Sequence, residues 1–281
     1  MAWKIAVFTC ALLLILAAVG LVVAWPYIVM NREIARILAN TPVPMFSQSL
    51  KRPPPKDLLI TYKTIDDIPQ KTVDMWKRAL SPTWTVHLFG NKECAAYLRS
   101  HYDEDDARLF EQLPHGPIKA DVFRVFFLYR TGGVYVDVDM VVRKPQIEQV
   151  LLRPMNQLLT VYTPSSRRYN PTLIVAQKRD PFLRMAMHVY RTMFSTNVLY
   201  TYMSYSIVSI FTKLAKKLGK DAPKYLLHPF TERIAKQKKN NVIVDEILGD
   251  ILFDVRADDY QNPYHGLRTL LTPPRRIFYR S

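Results

Sequence analysis

Cysteine is almost absent from this chain: two occur in 281 residues, Cys10 and Cys94. Cys10 lies in an apolar run, so the rest of the chain has no internal disulfide and no cysteine-built metal site. Cys94 reads as a small buried hydrophobe on a helix. Charge is missing altogether from Ile5 to Met30. As a helix rising about 1.5 Å per residue, that run exceeds a hydrocarbon core of roughly 30 Å. It is also longer than the apolar region of a cleaved signal peptide, about 7–15 residues. Trp3, Trp25 and Tyr27 stand near its ends, as interfacial anchors do. One transmembrane signal anchor is therefore expected over residues 1–30 of a single-pass membrane protein. Lys4 is set against Arg32, Arg36, Lys51 and Arg52, so charge counting leaves the orientation open. No nucleic-acid-binding motif and no internal repeat is present. The basic residues behind the net charge of +15 are scattered. Nucleic acid is not an expected partner; a membrane surface or an anionic substrate such as a nucleotide accounts for the charge.

What is present reads as a folded domain on a tether. Hydrophobic residues make up 49% and aromatics 12%, which excludes a disordered chain. Residues 31–56 carry Pro42, Pro44, Pro53, Pro54 and Pro55 and read as a stem. The folded domain is expected over residues 57–281. There, strand-like segments (Leu58 to Tyr62, Trp84 to Phe89, Leu158 to Tyr162, Leu173 to Ala176) alternate with helical ones. The helical segments are Pro69 to Leu80, Asn91 to His101, Glu104 to Leu113, Pro181 to Phe194 and Tyr202 to Leu218. Such alternation predicts an α/β domain with a mostly parallel central sheet, its ligand at the carboxyl ends of the strands.

The chain is organised around Pro117 to Val142, PIKADVFRVFFLYRTGGVYVDVDMVV. Apolar residues occupy nearly every side of Ile118 to Tyr129, so this helix should be buried. Charges on it are costly unless paired or functional, and Asp121 and Arg124, three apart, share a face. Gly132-Gly133 breaks the helix. Val134-Tyr135-Val136 is then a short strand that delivers Asp137 and Asp139, a pairing suited to hold a divalent cation against a phosphate. A second acidic triplet, Asp103-Glu104-Asp105, reads as a solvated helix start.

The string K-A-D-x-x-R, aromatic helix, G-G, V-Y-V-D-V-D resembles a family of DXD-containing glycosyltransferases. That family includes the fungal initiating α-1,6-mannosyltransferases and the inositol-phosphoceramide mannosyltransferases. Thr61-Tyr62-Lys63-Thr64, Ile68-Pro69, Trp76-Lys77, Trp84 and Cys94 to Leu98 extend the resemblance, which covers about Leu58 to Val150. It implies a GT-A-type nucleotide-sugar-binding fold and retaining transfer of a hexose, mannose by first choice. The donor would be GDP-mannose or a UDP-hexose, and the acceptor a glycan or glycolipid. By the resemblance, Asp139 and Asp137 would hold Mn²⁺ or Mg²⁺, with His265 as a further ligand. Asp121, Arg124, Asp137 and Asp139 would be catalytic. Thr61, Tyr62, Lys63, Lys119, Asp121, Arg124, Gly132, Gly133 and Asp137 would bind the donor. The anchor-and-stem layout fits a Golgi or ER lumenal domain. Where relatives carry a Thr-Gly-Pro turn, this chain has Tyr202-Met203-Ser204.

Two rival readings use the same residues. Val134 to Val142 also fits the first motif of haloacid-dehalogenase-type phosphatases, with Asp137 as nucleophile and Asp139 as general acid. Gly249-Asp250 and Asp254 would supply their late acidic motif. The other rival is a membrane protein that binds a nucleotide sugar without turning it over.

Overall fold

Leu58, Leu59 and Ile60 point to alternate sides of one strand, yet all three are fully buried. A strand buried on both faces needs a layer on each, and that requirement organises the molecule. The computed structural model describes residues 24–46, 50–196, 200–234 and 241–255. In chain order these form helix α1 (24–40), β1 (Asp57–Thr61), α2 (Gln70–Ala79), β2 (Thr85–Phe89), α3 (Asn91–His101) and α4 (Glu104–Glu111). Then come α5 (Gly116–Thr131), β3 (Gly133–Val136), β4 (Met140–Val142), α6 (Ile147–Leu151), β5 (Leu158–Thr163), β6 (Arg168–Ala176) and α7 (Pro181–Ser195). The last are α8 (Tyr202–Tyr205), α9 (Ile207–Leu218), α10 (Ala222–Tyr225), β7 (Leu226–Ile234), β8 (Asn241–Asp245) and β9 (Ile251–Val255).

The strands lie in the order β2-β1-β3-β6-β5-β7-β8-β9-β4. One face packs against α1, α3, α4, α5, α7, α9 and α10 through Leu59, Tyr135 and Ile174. The other packs against α2 and α6 through Leu58, Ile60, Val134 and Val136. As expected, α5 is buried on nearly all sides, with Val122, Phe123, Val125, Phe126, Phe127 and Leu128 fully enclosed.

The fold is α/β, but the expected mostly parallel sheet is not what forms. Only β1–β2, β1–β3 and β5–β7 run parallel; β3–β6, β5–β6, β7–β8, β8–β9 and β4–β9 are antiparallel. The cause is connection length. Beyond β4 the chain joins β5 to β6 and β8 to β9 by short turns, and two strands joined by a hairpin must be antiparallel.

The sheet also has to curl. In the strand order β3 is third and β4 ninth, so a flat sheet would separate them by about 29 Å at roughly 4.8 Å per strand. Only Asp137, Val138 and Asp139 link them, and such a link spans at most about 15 Å. The D-x-D segment is thus the stitch that closes the sheet into a bowl.

Residues expected to form a spacer lie against this body. Met30, Ile34 and Ile37 make one stripe of α1 and enter the core. Lys217 Nζ donates to the carbonyls of Leu38, Ala39 and Thr41 at the carboxyl end of α1. Tyr225 donates to Pro44 O at 2.8 Å, and Arg52 pairs with Met155. Among the described residues no helix is long and apolar enough to cross a membrane. The expected anchor falls mainly on residues 1–23, outside the described residues.

Gly132 and Gly133 are explained by packing. Gly133 has φ +95°, and a Cβ there would meet Asp57 O at 2.3 Å. They sit at the amino end of β3, away from Asp137. Gly133→Ala is expected to cost at least about 2 kcal/mol, from backbone strain plus overpacking. Urea denaturation checks this; a variant as stable as the parent would overturn the packing role.

Candidate active site

The turn after β3 is fixed from three sides. Asp137 N donates to Thr172 O at 2.9 Å on β6, and Met140 N returns to Asp137 O at 3.2 Å. From α2, Thr72 Oγ1 donates to Val138 O at 3.3 Å. Asp137 and Asp139 consequently line the same cleft, which has a volume of about 890 Å³. Asp137 keeps its side chain 34% exposed. Asp139 is half-buried, with Oδ1 enclosed.

Behind the turn stands Arg124, buried on α5. Its Nε donates to Ala120 O at 3.2 Å and its Nη1 to Pro171 O at 2.8 Å. Nη2 meets Asp121 Oδ1 at 3.1 Å, and Nη1 lies 3.3 Å from Asp137 Oδ1. The guanidinium also stacks 3.9 Å from the centre of the Tyr135 ring. Tyr135, two residues before Asp137 and on the same side of the strand, donates from its hydroxyl to Asp137 Oδ1 at 2.6 Å.

Asp121 has both oxygens engaged. Oδ1 faces Arg124, and Oδ2 accepts from Ile207 N at 3.0 Å, at the positive amino end of α9. Burial nevertheless pushes its carboxyl from 3.8 up to about 6, against the pull of Arg124 and the Ile207 amide. Arg124 shifts the opposite way for its kind. Burial alone would lower it, but Tyr135, Asp137 and Asp121 together hold it firmly charged. The two directions agree physically: the cation faces several anionic or polar partners, while Asp121 faces one cation.

Of the residues expected at the site, Thr61, Tyr62, Lys63, Asp121, Arg124, Asp137 and Asp139 line the cleft. Lys119 does not. It is turned toward the Phe110 ring, 5.1 Å away, and donates to Glu111 O at 3.3 Å. Gly132 and Gly133 lie at the far end of β3, and His265 lies outside the described residues. Among the described residues no group of three or more His, Cys, Asp or Glu is placed to hold a metal ion. The phosphatase reading loses its late acidic motif: Asp250 pairs with Lys144 and Asp254 with Arg143, and neither lines the cleft.

The structure adds a wall that sequence reasoning missed. Glu232 accepts from Thr163 Oγ1 at 2.6 Å, Asn170 Nδ2 at 3.0 Å and Asn241 Nδ2 at 2.7 Å, and all four residues line the cleft. Asn241 pairs with Val255, which pairs with Met140. That places Asn241 two strand spacings, about 10 Å, from the D-x-D turn.

With the geometry in place, comparison with known proteins is decisive for one stretch. Residues 55–160 match the glycosyltransferase sugar-binding region containing a DXD motif. The matched stretch runs from β1 to the first half of β5 and includes the D-x-D turn, so the resemblance read from the sequence holds there. Two curated proteins are similar over the same part. One is the initiation-specific alpha-1,6-mannosyltransferase of Candida albicans, 29% identical over 37% of this chain and 29% of that protein. The other is inositol phosphoceramide mannosyltransferase 1 of Schizosaccharomyces pombe, 28% identical over 37% of this chain and 31% of that protein. The chain thus spans about a third of the length of these relatives. The solved PaToxG glycosyltransferase superposes with a TM-score of 0.41 at 13% identity, over 70% of this chain and 77% of that one.

The raised Asp121 carboxyl sets a pH dependence. Between pH 3.8 and about 6 the native chain holds a proton that the unfolded chain has lost, so stability falls as pH rises through that window. The change is of the order of 3 kcal/mol. Asp121→Asn is expected to flatten stability against pH between 4 and 6, read by denaturant titration at each pH. A variant that keeps the parent's slope would place the proton elsewhere.

Proposed function

We propose that this chain is a glycosyltransferase that moves a hexose from a nucleotide-diphosphate sugar to a glycan or glycolipid hydroxyl with retention. GDP-mannose is the first donor to test and UDP-hexoses the next. The observation that carries the reading is the D-x-D turn at the end of β3, opening with Thr61 to Lys63 into one cleft within the matched sugar-binding region. The reading includes a GT-A-type arrangement, tethering by the Ile5–Met30 run and a Golgi or ER lumenal position.

The residues fit a divalent cation. Carboxylates are hard donors suited to Mn²⁺ or Mg²⁺, and such ions keep several waters and take substrate phosphates, so two protein ligands suffice. Asp137 Oδ1 is occupied by Tyr135 and Arg124, so Asp137 would offer Oδ2; Asp139 would be the second ligand. The bound ion would stabilise negative charge developing on the diphosphate leaving group. Thr61, Tyr62 and Lys63 flank the nucleotide. Arg124 and Tyr135 hold Asp137 in place through its Oδ1. Asp121 holds the start of α9 beside the transferred sugar. The Glu232 wall, across the turn from β1, orients the acceptor through its carboxylate and amides.

Purified full chain tested against nucleotide sugars with Mn²⁺ is expected to hydrolyse one slowly without acceptor. Asp139→Asn should lower that rate about 100-fold or more, since removal of the charge stabilisation costs several kcal/mol. Tight nucleotide binding with no turnover of any sugar would instead favour the binding-only reading. Glu232→Gln should lower transfer to acceptor about tenfold while leaving the KM for donor near the parental value, as loss of a charge-assisted hydrogen bond requires. An equal loss in acceptor-free hydrolysis would move Glu232 to the donor side.

A further inference from the structure

Helix α1 changes character along its outward face. Ala24, Trp25 and Ile28 are exposed there and all apolar, with Trp25 59% and Ile28 42% accessible. One turn on, the same face carries Arg32 and then Arg36, also exposed. The inward face shows no such break: Met30, Ile34 and Ile37 are buried, and Tyr27 packs against the same core. Two large apolar side chains one turn apart are costly to leave in water. In sequence they belong to the uncharged run from Ile5 to Met30. The switch from Ile28 to Arg32 takes about 6 Å along the helix axis. Tryptophan and isoleucine giving way to arginine over that distance is the pattern of a helix passing from hydrocarbon into headgroups.

The level of that switch coincides with the mouth of the cleft. Thr201 N donates to Met30 Sδ at 3.4 Å. The next two residues, Tyr202 and Met203, line the cleft, as does Ile207 at the start of α9. At its other end α1 presents the carbonyls of Leu38, Ala39 and Thr41 to Lys217, in the last turn of α9. Helices α1 and α9 therefore run side by side in the same sense, from the cleft lip toward the far side of the body. Fastened at both ends, α1 sets one angle between the uncharged run and the body. We propose that Ala24, Trp25 and Ile28 seat in the interface of a lipid bilayer. The cleft lip at Tyr202 and Met203 then faces the headgroups and the carboxyl end of α9 faces away, a placement that rests on the proposed tether and not on which sugar is moved.

The test needs no turnover. The full chain with Cys10→Ser is reconstituted into phosphatidylcholine vesicles in which part of the lipid bears a nitroxide on its headgroup. Cys94 is buried, and burial pushes its thiol up, so it stays unlabelled. A fluorophore is attached at Met203→Cys in one variant and at Lys220→Cys in another. Lys220 is exposed just beyond α9, whose 12 residues span about 18 Å. The nitroxides are expected to remove most of the fluorescence of the Met203 label and little of that at Lys220. Trp25→Ser with Ile28→Ser should shrink this difference while the chain still floats with the vesicles. Equal quenching of the two labels, or stronger quenching at Lys220, overturns the placement and leaves the tether standing. A difference that survives the double substitution overturns it too. So does quenching at neither label with energy transfer between labelled copies, which would give the face to a second copy of this chain. Failure of the parent chain to float with vesicles removes the tether itself, and the placement with it.

Discussion

One buried guanidinium ties the site together. Arg124 on α5 reaches the backbone of β6 at Pro171, the carboxylate of Asp137 after β3, and Asp121, which in turn receives the first amide of α9. Four elements therefore meet through one side chain. A buried charge is tolerable only if fully compensated, and removal of one partner of such a pair costs about 3–5 kcal/mol. The compensation here is two carboxylates, two carbonyls and an aromatic face. Arginine meets that demand because its donors form a rigid fork; lysine, a point charge on a flexible stem, does not. The same contacts leave Arg124 little capacity for a ligand, so its part in the proposed reaction is to position Asp137.

The second constraint is the three-residue link between β3 and β4. Because it is too short to cross a flat sheet, the sheet bends until β4, β9 and β8 stand beside the turn. That bend carries Asn241 and Glu232, far from Asp137 in sequence, to the same cleft. The candidate site and sheet closure are thus consequences of one covalent fact. A longer link would relax the curl and lose the wall opposite β1.

The portion legible from sequence was the portion with dense local signals. The burial of α5, the break at Gly132-Gly133, and the delivery of Asp137 and Asp139 into a cleft follow from hydrophobic period, glycine and strand alternation, and the structure reproduces them. Lys119 was misplaced because helical period gives a side chain's face but not where a long flexible stem will lie; here it rests on Phe110. The strands β7, β8 and β9 went unread. Pro229 breaks the strand pattern in the sequence of β7, and the runs Asn241-Val-Ile-Val-Asp245 and Ile251-Leu-Phe-Asp-Val255 around Gly249 were the available hairpin signal. Glu232 and Asn241 went unread with them. A polar residue in a strand carries no local sign of the partner it will meet across a curled sheet. Tyr135 was visible in the central string, and its spacing of two from Asp137 was the clue to its hydrogen bond.

The orientation of Asp137 has a consequence for what it can hold. Tyr135 and Arg124 both approach Oδ1, so a ligand on the cleft side would meet Oδ2 alone. A carboxylate restricted to one oxygen disfavours the bidentate, high-coordination geometry that calcium accepts, and suits a small octahedral ion that keeps its waters. Asp139, two residues on and past the bend, sits deeper, with Oδ1 enclosed. The two carboxylates are therefore inequivalent: one braced by a cation and a phenol, the other set into the floor of the turn. In the proposed reaction the diphosphate lies toward β1, with β6 and the Glu232 wall lining the other side of the same cleft.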